Sequence, residues 1–152
     1  ARRDSSSLGV EKKIGATAAL PPFEEKMIWV DELKKEKSNY SYSQLRAAIY
    51  NLFPYTQNDK RELFSSQFFN DMLWVDKNRQ HFIAGLFANL APQECSPEFG
   101  GRLNRFVNAH KGLQPVVVKD LKISGQEGDR CRKIVALAEA GARQTPAPLL
   151  SQ

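Results

Sequence analysis

Leu45, Ala48, Ile49, Leu52 and Phe53 recur at spacings of three, four, seven and eight residues. That rhythm places all five on one stripe of an amphipathic helix. Phe82, Ile83, Leu86, Phe87 and Leu90 repeat it, as do Phe99, Leu103, Phe106 and Val107, and then Cys131, Ile134, Val135 and Ala138. No segment of similar length alternates strictly. The run Val116-Val117-Val118 is the best strand candidate, but it is short and follows Pro115, a residue suited to the first turn of a helix.

The expected fold is therefore all-α, with about seven helices over roughly 6–19, 22–37, 43–53, 58–75, 77–90, 96–112 and 115–140. Pro21-Pro22, Pro54 and Pro92 punctuate them, the turn Ser38-Asn39-Tyr40-Ser41 can cap the third, and Ser96-Pro97 reads as a helix start. Gly125 and Gly128 weaken the last helix by about 1 kcal/mol each relative to Ala. Short loops make neighbours antiparallel. Trp29 and Phe69 lie off their helices' main stripes, which suits helices sandwiched in a degenerate HEAT- or armadillo-like α-solenoid or α-α superhelix. We expect one helical domain over 1–144 and a flexible tail over 145–152, rich in Pro.

With 152 residues, 41% of them hydrophobic, one domain with a real core is expected. No stretch approaches the roughly 18 uncharged apolar residues of a membrane span. The formal net charge is +5, but Lys12-Lys13, Lys34-Lys35 and Lys60-Arg61 have acids beside them, including Glu11, Glu32, Glu36, Asp59 and Glu62. Alternating signs describe a solvated helix surface, not a nucleic-acid footprint. Cys95 and Cys131 are the only cysteines and make no disulfide framework, so Cys131 reads as a buried thiol and Cys95 as a surface one. Without a visible export leader, the expected location is the cytoplasm.

Catalytic signals are missing. Neither His81 nor His110 opens a His-Glu-x-x-His pair, and Cys95, His110 and Cys131 lie too far apart for a short-spaced zinc pattern. There is no Gly-rich phosphate loop. Glu24-Glu25 and Asp31-Glu32 read as solvated surface charges, and Phe64, Phe68 and Phe69 as core. No catalytic residue and no metal ligand is assigned, the substrate-binding residues stay unknown, and no cofactor is expected in this chain.

Several segments, in order, resemble a known family. They are Arg3-Asp4-Ser5-Ser6, Ala18-Ala19-Leu20-Pro21, Glu25-Lys26-Met27-Ile28-Trp29 and Ser43-Gln44-Leu45-Arg46-Ala47-Ala48. Phe68-Phe69, Phe82, Phe87 and Pro92 follow, then Leu113-Gln114-Pro115 and Glu127-Gly128-Asp129-Arg130-Cys131. Together they are similar to the C-terminal helical domain of zinc aminopeptidases of the aminopeptidase N (gluzincin) family. The resemblance implies a noncatalytic domain that covers a thermolysin-like catalytic domain and shapes its peptide chamber. Zinc would then belong to the parent enzyme, and the partners would be that catalytic domain and a peptide, with no nucleic acid and no membrane. The chain alone is not expected to be an enzyme. A free-standing α-solenoid interaction module is the rival reading. If the first helices belong inside a longer stack, Ile14, Leu20, Phe23 and Trp29 should be uncovered and drive self-association, which Trp29→Glu would weaken.

Overall fold

The computed structural model describes residues 6–144, and in them the chain is all-helical. Seven α-helices follow one another: α1 (Ser7–Ala18), α2 (Phe23–Lys34), α3 (Tyr42–Tyr50), α4 (Asn58–Asn78), α5 (His81–Ala88), α6 (Arg102–Ala109) and α7 (Pro115–Gln144). Short 3-10 turns stand at Tyr55–Gln57 and Pro97–Phe99. None of the helices is long and apolar enough to cross a membrane. The expected tail and the Arg3-Asp4-Ser5 part of the resemblance lie outside the described residues.

Local chemistry sets the helix starts. The Ser6 hydroxyl accepts from Gly9 N at 3.1 Å and starts α1. Ser41 and Gln44 form a capping box at α3: Gln44 N donates to the Ser41 hydroxyl, and Ser41 N to the Gln44 side chain. Asp76 accepts from Gln114 N at 2.9 Å just before α7. In return the Gln114 amide donates to the carbonyls of Asp76 and Arg79 at the end of α4, so one exchange fixes two helix ends.

Helices α2, α3 and α6 each end about three residues earlier than expected, and two other boundaries differ for a clear reason. The Ser96-Pro97 signal opens only a 3-10 turn, because Gly101 follows with φ at 81° and resets the backbone before α6. Helix α4 runs on to Asn78, and α5 begins afresh after the extended Arg79 and Gln80. The valine run is helical, and α7 passes through Gly125 and Gly128 without a break.

The principal contacts pair α1 with α3, α2 with α3, α4 with α5, and α7 with both α5 and α6; α2 also meets α4 and α5. The centre of the core is aromatic. Phe64, Phe68 and Phe87 are fully buried; Phe68 and Phe87 stack at 5.8 Å, and Phe64 meets both edge-on. Phe53 joins the cluster by stacking on Phe64 at 5.9 Å.

The N-terminal helices are better covered than expected. Trp29 is 8% exposed and packs on Tyr40 at 4.9 Å, while Ile14 and Phe23 are partly buried against the core. Of the four residues expected to be bare only Leu20 is exposed; Ile28, on the opposite side of α2, is the open one. The reason is that α2 turns Trp29, Val30 and Leu33 toward its neighbours, so Trp29 belongs to the buried face. At the other end, the Cys131–Ala138 stripe does not enter the core. Ile134, Val135 and Leu137 are exposed, since α7 outruns the helices it packs on.

Candidate functional site

The densest polar construction lies where the segment 91–101 is clasped between α4, α6 and α7. Gly128 makes this approach possible. A Cβ there would stand 2.8 Å from Glu94 Cβ and 3.3 Å from the Glu94 carbonyl oxygen. Gly125, one turn earlier, faces Asn104 of α6. The two glycines that looked like weak points in a helix thus lie where α7 closely approaches the 91–101 segment and α6.

Glu94 is 1% exposed. Its carboxylate accepts from Gly101 N at 3.0 Å and Leu103 N at 2.9 Å, supplying to α6 the N-terminal cap that glycine lacks. Arg102 lies alongside, with an ion pair to Glu62 at 3.1 Å and its guanidinium 4.3 Å over the Phe99 ring. Arg132, from α7, donates to the Glu94 carbonyl and to Asp129.

Next to Glu94, Cys95 is joined to Cys131 by a disulfide, with Cα atoms 5.1 Å apart. This corrects the reading of two separate thiols. The spacing of 36 residues gave no hint, because the pair meets only after α7 folds back along the segment. The combination of Cys95, His110 and Cys131 is accordingly not a ligand set, and His110 Nδ1 lies 2.8 Å from the Phe106 carbonyl. Among the described residues, no group of three or more His, Cys, Asp or Glu is placed to hold a metal ion.

A second buried polar centre went unmarked in the sequence. Lys26 is 1% exposed, and its ammonium donates to the carbonyls of Ala18, at 3.2 Å, and Leu52. Those carbonyls close α1 and the turn after α3, so one cation serves two negative helix ends. Burial, aided by the charge of Lys60, lowers its pKa. Nothing in the local pattern of α2 separates Lys26 from the half-buried Lys34 or the exposed Lys35; the pairing needs three elements assembled.

Glu24 and Glu25 are exposed, as read. Glu32 is not: it is buried and accepts from Lys35 and from Ser38 at 2.8 Å. Burial alone would raise its pKa, but those hydrogen bonds and the Lys35 charge outweigh it and hold the carboxyl below its usual range. Alternating charges elsewhere become ion pairs, such as Lys34 with Asp71 at 2.7 Å.

Comparison with protein-family models, with curated proteins and with solved structures finds no match.

Proposed function

We propose that this chain is the noncatalytic C-terminal helical domain of a zinc-dependent aminopeptidase. It would cover the catalytic domain and shape the chamber where N-terminal residues leave peptides. The observation that carries the reading is the ordered resemblance. Its segments include buried residues, Lys26 and Trp29 in α2, Leu45 and Ala48 in α3 and Gly128 at the clasp, along with exposed ones such as Leu20, Ile28 and Phe82.

Two features support it. Helix contacts that join near neighbours suit a HEAT-like stack, which builds a concave wall because each unit needs only its neighbours. Leu8, Leu20 and Ile28 at one end, and Ile134 and Leu137 at the other, offer apolar surface to a larger body. Zinc and the peptide-cleaving groups would belong to the catalytic domain of the same polypeptide. The expectation of a cytoplasmic setting rested on the lack of a visible leader and, more weakly, on two unpaired thiols. With the thiols paired we infer an oxidising compartment, where such bonds persist.

The reading frame upstream of Ala1 tests the proposal. An in-frame His-Glu-x-x-His with a downstream Glu supports it. A frame encoding no such motif overturns it and leaves the free-standing interaction module.

A further inference from the structure

Between the 91–95 segment and the middle of α7 lies a cleft of about 290 Å³. Ala91, Pro92, Ile123 and the Cys95–Cys131 pair give it mostly apolar walls, Glu94 and Glu127 share the lining, and Arg61 of α4 reaches it. The acids around this cation are each engaged elsewhere. Glu62 pairs with Arg102 at 3.1 Å, Asp59 with Lys60 at 3.7 Å, and Glu127 with Arg130 at 3.2 Å. The Glu94 oxygens are taken by Gly101 N and Leu103 N.

Arg61 itself is half-buried. One N–H donates to the Ala91 carbonyl at 3.1 Å, and the guanidinium lies 5.6 Å from the Phe53 ring. Its Nε is shut off from solvent without an acceptor. Burial disfavours the cation enough to lower its pKa, yet a guanidinium stays charged in proteins. A charge withdrawn from water without a counter-ion is costly. Here it sits against apolar walls, the combination of one polar anchor and a greasy surround that small-ligand sites use.

We propose that this cleft binds a carboxylate carried on a branched apolar stem of leucine side-chain size. Arg61 holds the carboxylate through its terminal nitrogens, since Nε is closed off, and the stem lies against Ile123 and the disulfide. Such a group comes either from a free short-chain acid or from the C-terminal residue of a peptide.

Calorimetric titration of the oxidised chain with isocaproate, with an acetylated peptide ending in leucine acid, and with the amides of both tests this. At least one acid should bind saturably, about tenfold or more tighter than its amide; which acid does so identifies the source. Ile123→Trp, at a position 47% exposed, should fill the cleft and abolish binding with the helical spectrum unchanged. Arg61→Gln should erase the preference for acid over amide, and if that variant fails to fold, Ile123→Trp carries the test. Equal binding of acid and amide, unaltered binding by Ile123→Trp, or no saturable binding of either acid overturns the proposal.

Discussion

Replacing Gly128 by Ala sets two known effects against each other. In the interior of a helix, Ala is favoured over Gly by about 1 kcal/mol, so an isolated α7 would gain. In the folded protein the new methyl meets Glu94 Cβ at 2.8 Å and the Glu94 backbone at 3.3 Å. The backbone there has little freedom to retreat. Cys95 is bonded to Cys131, Arg132 holds the Glu94 carbonyl, and the Glu94 carboxylate holds α6. Overpacking of this kind costs about 1–3 kcal/mol. The net expectation is a loss of up to about 2 kcal/mol.

Two controls share the chemistry. Gly141 has nothing within 4 Å of its would-be Cβ, so Gly141→Ala should keep whatever propensity gain its exposed turn allows. Gly125 faces Asn104 Oδ1 at 3.3 Å, a side chain that can swing away, so Gly125→Ala should fall between. Thermal and urea unfolding of the three variants supply the comparison, with about 2–4 °C expected per kcal/mol at this size. Reducing the disulfide frees the segment and should shrink the Gly128→Ala penalty. A Gly128→Ala protein as stable as Gly141→Ala would refute the argument that close approach, not chance, placed glycine at the clasp.

Denatured, unreduced protein should show no thiol reactive with Ellman's reagent, and reduction should lower stability by about 3–4 kcal/mol on the chain-entropy relation for a 36-residue separation. Lys26→Met should cost about 2–4 kcal/mol in urea unfolding, because the Ala18 and Leu52 carbonyls lose a buried donor. Since the Glu32 carboxyl is held below its ordinary 4.5, its stabilisation is complete above that pH and drains away as acid takes pH down through the lower, folded value. Glu32→Gln should therefore flatten the acid limb of stability against pH. Leu137→Ser, on the exposed end of α7, should change stability by less than about 0.5 kcal/mol, whereas Leu121→Ala in the core should cost about 2–5 kcal/mol.

The helices were legible because each carries its own record of burial. Leu45, Ala48 and Ile49 are spaced for one face, and that face is buried in α3. The same logic misled at Ile134 and Val135, where a helical stripe exists but nothing among the described residues covers it. Periodicity reports that a face is apolar, not that a partner lies within these residues. Trp29 erred the other way: it sits one position from Val30 and Ile28, and only the tilt of α2 against its neighbours decides which is inside. The clasp was illegible for a different reason. Glu94, Cys95, Gly128 and Cys131 are scattered along the chain, and each has a bland local reading. Their roles come from one long-range approach, which no window of sequence contains.

We propose that this helical unit belongs to a zinc aminopeptidase whose chemistry lies outside it. The direct measurement is zinc content together with aminoacyl-anilide hydrolysis, compared between this chain and the complete protein from its reading frame. The expected result is no bound zinc and no hydrolysis for the chain alone, and one zinc with chelator-sensitive hydrolysis for the complete protein. A complete protein that holds no zinc and releases no amino acid, or a chain that does both by itself, would contradict it.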